Sequence, residues 1–243
     1  EWRSREAEIL AVRGVIYLAK QTGVRVAIAH VSLPSLTLEL AQARVQGISI
    51  YTETCPQYLS LTEEDLKEKG PFCKFTPPPR KKEEVEKMWW GLAHGLIDMV
   101  NSDHCPYPYS DKETGKEDIW LAPFGIPGVE TVTPILLDGV AKGKLTLPQV
   151  AYVRSERPAM IYGLTGQKGS LRVGCDADLI FVDLKRKVVL NNLKILSKCG
   201  WTPYHGREVT GDVVLTMVRG KVVMQEGKVI GEPGWGRFVT RKD

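Results

Sequence analysis

No two cysteines in this 243-residue chain are spaced as C-x-x-C. The five present (Cys55, Cys73, Cys105, Cys175 and Cys199) are odd in number and widely separated. That pattern argues against a disulfide-framed scaffold or a zinc knuckle, and predicts reduced thiols in a cytoplasmic protein. No apolar run approaches the roughly 20 residues that a bilayer-spanning helix needs. Blocks of one charge are also missing. The 33 basic and 29 acidic residues are interspersed, and the one local excess, Arg80-Lys81-Lys82, is followed at once by Glu83 and Glu84. A net charge of +4 arranged in this way predicts a solvated helix start there, not a nucleic-acid footprint. The opening Glu1-Trp2-Arg3-Ser4-Arg5-Glu6 has no initiator methionine, no basic n-region and no apolar h-region, so it does not read as a signal peptide. It leads straight into a helical pattern, and the chain is expected to be a fragment.

What is present is an alternation. Ile9, Val12, Val15, Ile16 and Ala19 predict a helix over residues 4–22 with Gly23 just past its end. Val24 to Ser32 reads as a buried strand that delivers His30. A second helix is expected over 35–46, a strand over Ile48–Thr54, an extended polyproline-like path at Thr76-Pro77-Pro78-Pro79-Arg80, and a helix over 83–94. The apolar run Ile97–Val100 then reads as a strand ending at Asn101-Ser102-Asp103-His104-Cys105-Pro106. Helix, strand, helix, strand, helix, strand is the order of a parallel sheet with helices on its faces.

Two of these strands end in a residue able to bind a metal, His30 and Asp103. Taken singly, Asp103 could be a metal ligand, a general base or a loop cap, and His30 a ligand or a structural histidine. Together they favour a shared crevice, because parallel strands converge at their carboxyl ends. Imidazole nitrogen and carboxylate oxygen are the usual ligands of hydrolytic zinc and manganese, yet a catalytic metal needs about three protein ligands. Two are not enough.

Beyond Asp103 lies a glycine- and proline-rich loop, Ala122 to Glu130, then helices expected over about 129–142 and 147–162. The texture then changes to short strands and tight turns, with Val213–Val218 and Lys221–Met224 flanking Arg219-Gly220 as a hairpin. A boundary is expected near 166, between an α/β part (1–166) and a small β part (167–243).

Four motifs carry a resemblance: Glu53-Thr54-Cys55-Pro56-Gln57-Tyr58-Leu59, Thr76-Pro77-Pro78-Pro79-Arg80, Ser102-Asp103-His104-Cys105-Pro106 and Gly174-Cys175-Asp176-Ala177-Asp178-Leu179. In this order, with Tyr204–Gly211 and Gly231–Phe238, they resemble the dihydropyrimidinase/hydantoinase branch of the amidohydrolase superfamily, from about residue 5 onward. The loop from Phe124 to Val129 is also similar to the sister allantoinases and dihydroorotases. The resemblance implies the last three strands of a (β/α)₈ barrel followed by part of a small β-sandwich. It also implies two divalent metals, zinc or alternatively manganese, bridged by a carboxylated lysine absent from this chain. Carried over residue by residue, His30 matches a metal-binding histidine and Asp103 a metal-binding aspartate that is also the catalytic acid–base group. Thr76 sits where a hydroxyl contacts the cyclic amide, and Phe124 where a main-chain group does. The family's H-x-H pair, lysine and further histidine have no counterpart, since all four histidines (His30, His94, His104 and His205) lie at or after position 30.

The implied reaction opens a dihydropyrimidine or hydantoin ring to an N-carbamoyl amino acid, with allantoinase or dihydroorotase activity as the alternative. The expected partners are the cyclic amide, an N-terminal half outside this sequence, and further copies in a homotetramer. A non-catalytic dihydropyrimidinase-like scaffold and an inactive truncated half are the competing readings. Trp89 and Trp90 read as packing residues. His104 supports either the metal site or a loop, and Cys105 lacks a histidine base at motif spacing. The segment Gly231–Arg237 is expected to dock on a neighbouring subunit.

Overall fold

Ser4 starts the first helix because its hydroxyl oxygen accepts the Ala7 N–H at 3.3 Å, satisfying one of the donors that a helix start leaves open. In the computed structural model, which describes residues 3–241, helix α1 runs Arg5–Thr22. It stops at Gly23, whose left-handed backbone (φ 69°) returns its N–H to Ala19. Glu1 and Trp2, part of the opening read above, lie outside the described residues. By contact density the chain divides into two units, Glu1–Val132 with Val189–Arg207 and Thr133–Val188 with Glu208–Asp243.

The first unit continues with β1 (Val26–Ile28), α2 (Pro34–Val45), β2 (Ile50–Thr54), α3 (Glu63–Lys69), α4 (Lys82–Ala93) and β3 (Met99–Val100). A short helix, α5 (Tyr109–Glu113), follows the third strand. The strands pair in parallel in the order β1-β2-β3, with Val26 opposite Ile50 and Glu53 opposite Met99. The expected strand over 24–32 is reduced to three residues. His30 takes a left-handed backbone (φ 43°), which cannot continue a ladder, so the chain turns out of the sheet there. The segment after Phe75 contains a cis Thr76–Pro77 bond and is not a uniform polyproline path.

The core of this unit forms where α1 and α2 cover the sheet. Val12 and Ala19 of α1 meet Leu36, Leu40 and Ala43 of α2 and Ile50 of β2. Full burial of each large member stabilises the fold by about 1.5–3 kcal/mol. Two buried ion pairs lie alongside. Arg44 meets Asp98 at 2.8 Å, and Asp98 also accepts the Thr52 N–H at 2.8 Å, tying α2 to the approach of β3. Arg80 meets Glu8 at 2.8 Å, and Glu8 accepts both the N–H and the hydroxyl of Ser32 at 2.9 and 2.5 Å. Trp89 is buried, with its indole N–H on the Leu59 carbonyl at 2.6 Å, whereas Trp90 is exposed and stacked on His94.

In the second unit, α6 spans Val132–Ala141. The single helix expected over 147–162 is broken into α7 (Leu147–Ala151) and α8 (Arg157–Ile161) by one π-helical turn, Tyr152–Glu156. Pro158 has no N–H and its ring would collide with the carbonyl four residues earlier, so the ladder slips instead of continuing. Four strands follow in the order β4 (Leu179–Val189), β5 (Glu208–Val218), β6 (Lys221–Gln225) and β7 (Lys228–Val229). The β5–β6 hairpin turns at Arg219 and Gly220, both with positive φ (46° and 78°), as a two-residue turn between right-twisted strands requires. Trp235 of the C-terminal run packs on this same hairpin, donating to the Val218 carbonyl at 2.9 Å beneath Arg219 and Lys221.

Arg80 is only 4% exposed, so Arg80→Met leaves the Glu8 carboxylate buried without its cation. The expected loss is about 3–5 kcal/mol, with part recovered when Glu8→Gln is added. Denaturant unfolding of the two single variants and the double variant measures the coupling. Strict additivity would show that the pair is not energetically linked.

Candidate active site

His30 lies two residues past β1 and Asp103 three residues past β3, on either side of the central strand β2. Both are half-buried and both hold left-handed backbones, φ 43° and 46°. Of the other non-glycine residues with positive φ among those described, Arg219 and Glu226 belong to hairpin turns and Arg3 to the chain start. A left-handed non-glycine residue costs about 1–3 kcal/mol and persists only where its surroundings enforce it.

Those surroundings centre on Glu53, the penultimate residue of β2, which is 9% exposed. Its backbone carbonyl accepts the Val31 N–H at 2.8 Å, and its carboxylate accepts the His30 backbone N–H and the Asn101 side-chain amide, the latter at 3.3 Å. The Thr54 hydroxyl donates to the Val31 carbonyl at 2.8 Å, and the Asn101 N–H donates to the Thr54 carbonyl at 2.9 Å. The end of β2 therefore fixes the chain leaving β1 and the chain leaving β3.

Electrostatics joins the three residues. Burial raises the Glu53 carboxyl above the usual carboxylate range, the Asp103 charge adds to this, and hydrogen bonds and the His30 charge oppose it. Burial likewise raises Asp103, with His30 pulling the other way. Glu53 opens the Glu53–Leu59 motif, and the sequence by itself gives it no role. The signal available in the sequence is a carboxylate within a strand otherwise made of β-branched and aromatic residues.

Thr76 is half-buried, and the Pro77 carbonyl beside it accepts the Tyr58 hydroxyl at 2.9 Å. Tyr58 is fully enclosed. Burial pushes its hydroxyl well above the ordinary tyrosine value, with negative charge at Cys55 and Asp103 adding to the shift. Phe124 is half-buried with its ring centroid 4.2 Å from the Lys74 ammonium, and the Gly125 N–H donates to the Lys74 carbonyl at 3.1 Å. That bond ties the Phe124 loop to the segment leading to Thr76. The sequence left two roles open for His104, and the structure gives it a loop contact: its Nδ1 accepts the N–H groups of Gly128 and Val129 at 3.1 and 3.2 Å. Cys105 is exposed, with its thiol donating to the Phe124 carbonyl at 3.7 Å.

Among the described residues no group of three or more histidine, cysteine, aspartate or glutamate side chains could hold a metal ion. One imidazole and one carboxylate suit a divalent hydrolytic metal in donor type, but they make part of a site, not a whole one. No helix among the described residues is long and apolar enough to cross a membrane.

The profile of the amidohydrolase family matches residues 6–223. The chain is 41% identical to an L-hydantoinase of Paenarthrobacter aurescens over 96% of its own length and 51% of that protein's. It is 38% identical to an allantoinase of Rubrobacter xylanophilus over 98% of its own length and 52% of the relative's. Its α/β fold matches the solved L-hydantoinase (dihydropyrimidinase) from Arthrobacter aurescens with a TM-score of 0.93 at 41% identity, covering 95% of this chain and 51% of that one. The chain thus spans about half the length of the curated relatives it matches. By profile, sequence and fold together, this chain belongs to the amidohydrolase family.

Proposed function

We propose that this chain is the C-terminal part of a metal-dependent cyclic amidohydrolase that opens a hydantoin or dihydropyrimidine ring to an N-carbamoyl amino acid. In this reading residues 1–166 carry the last three strands of a (β/α)₈ barrel, and 167–243 a segment of a small β-sandwich with the C-terminal tail. The observation that carries it is the pair of left-handed residues, His30 and Asp103, ending the two strands that flank β2, with buried Glu53 between them. Strain of that kind, kept at converging strand ends, is characteristic of functional positions.

His30 and Asp103 would hold divalent metal together with ligands from chain outside this sequence, a carboxylated lysine among them. Two such ions, zinc or manganese, would supply Lewis acidity and water that ionises near neutrality. Asp103 takes the proton of the attacking water and delivers it to the ring nitrogen that leaves, acting first as base and then as acid. The Thr76 hydroxyl and the main chain at Phe124 orient the ring imide, so the scissile carbonyl meets the water in one pose. Glu53 holds the His30 backbone in place.

Hydantoin is the favoured substrate class because an L-hydantoinase is the relative at 41% identity and is also the solved structure matched with a TM-score of 0.93. Comparing turnover of hydantoin, dihydrouracil, allantoin and dihydroorotate by the full-length enzyme tests this. Equal inertness toward all four, with no bound metal, would favour a scaffold instead.

Two variants probe the site. Asp103→Asn in the full-length enzyme is expected to lower kcat by about 10²–10⁴-fold, the usual contribution of a positioned acid–base group. A variant retaining more than a tenth of wild-type kcat would remove Asp103 from the proton path. Glu53→Gln is expected to weaken metal retention by about 10–100-fold, as for other groups that orient a ligand. Metal content measured against a chelator series reads this directly, and an unchanged series would leave Glu53 a purely structural residue.

A further inference from the structure

The segment from Ile119 to Leu121 shows its apolar side chains to solvent, yet the loop it opens is gripped from beneath by two lysines. Lys112 of α5 has 0% exposure. Its ammonium donates to the backbone carbonyls of Lys74, Pro123 and Gly125 at 3.0, 2.9 and 3.0 Å. The Lys74 ammonium donates to those of Ile119 and Ala122 at 2.7 and 2.5 Å. Of the four carbonyls from 122 to 125, three are therefore held by lysine, while that of Phe124 accepts the Cys105 thiol at 3.7 Å. On its other side the loop lies close against Cys105. A Cβ on Gly125 (φ 135°) would stand 2.5 Å from the Cys105 carbonyl oxygen.

This is an unusual use of a buried cation. An ammonium out of water normally faces a carboxylate. Among the described residues, Lys112 instead directs all three protons at backbone oxygen and lies 6.0 Å from the centroid of the Trp201 ring. A hydrocarbon side chain there would take this donor from the Pro123 and Gly125 carbonyls and leave the Lys74 carbonyl with the Gly125 N–H alone. The arrangement sets the position of one stretch of main chain, and that stretch contains Phe124.

We propose that Lys112, with Lys74 beside it, is a positioning residue that fixes the Phe124 main chain at the substrate, and so governs how tightly the cyclic amide is bound. This rests on the cyclic amidohydrolase reading above. The Phe124 carbonyl has two lone pairs and a thiol is a weak donor, so the group retains acceptor capacity for a ring N–H. Lys112 acts through that group without touching substrate.

Protonation gives the role a signature. Burial, reinforced by the Lys74 charge and opposed by Cys73 and Cys105, lowers the Lys112 amine to about 8. Burial lowers Lys74 too, with Asp118 opposing. Below about pH 8 the Lys112 ammonium offers three donors to three carbonyls; above it the neutral amine offers two, and one carbonyl is left over.

The test uses the full-length, metal-loaded enzyme and whichever of hydantoin, dihydrouracil, allantoin and dihydroorotate it turns over best. For Lys112→Met, KM is expected to rise about tenfold, the worth of roughly one well-placed hydrogen bond, with kcat changed much less. Wild-type KM should rise through about pH 8, in step with faster amide exchange over residues 119–126 after correction for intrinsic rates, and the variant should show neither change. An active wild type whose KM is matched by Lys112→Met overturns the lysine's role and leaves the hydrolase reading standing. A wild type inert toward all four rings overturns both. Should Lys112→Met fail to fold, the wild-type pH series decides alone, and a flat KM with unchanged protection of 119–126 overturns the proposal.

Discussion

The buried carboxylate of Glu53 joins the ends of all three strands of the parallel sheet. Burying that charge is unfavourable, as its raised pKa records, and hydrogen bonds from the His30 backbone and the Asn101 amide offset part of the cost. Remove the carboxylate and two chains that leave the sheet in strained conformations lose their common anchor. The proposed chemistry draws on this constraint, because His30 and Asp103 both leave the sheet through left-handed backbones at the strands flanking β2.

Behind this anchor the supports are polar and long-range. Glu8 and Arg80 bring α1 and the proline-rich segment onto Ser32, two residues beyond His30. Arg44 and Asp98 tie α2 to the chain entering β3. Lys112 and Lys74 hold the loop that carries Phe124. Each network is largely satisfied within the low-dielectric interior, where a complete set of hydrogen bonds rigidifies a structure and an incomplete one destabilises it. Apolar packing of α1 and α2 supplies the general stability of this unit, and the polar networks decide where particular backbone atoms stand.

The second unit follows other rules. Its strands are only partly covered, its turns rest on left-handed residues at Arg219, Gly220, Glu226 and Gly227, and Lys168 links Asp176 and Asp178 across the turn before β4. Membership in the amidohydrolase family applies to both units, since the profile match runs from residue 6 to 223.

Local chemistry was enough to read the helix stop at Gly23, the βα alternation, the turn at Arg219-Gly220, and the presence of His30 and Asp103 at strand ends. In each case the cause lies within a few residues: a glycine after a helix, a two-residue turn between strands, an apolar run broken by polar residues. Tertiary structure alone decided the role of Glu53, the contact made by His104, and the capture of the 122–125 carbonyls by lysine. Periodicity reports which face of an element is apolar, but not which distant oxygen an ammonium will meet. The bond from Lys112 to the Lys74 carbonyl spans 38 residues, and nothing in either neighbourhood announces the other. Burial, which turns a surface lysine into a three-pronged clamp and a strand-end glutamate into an anchor, exists only once the chain has closed around them.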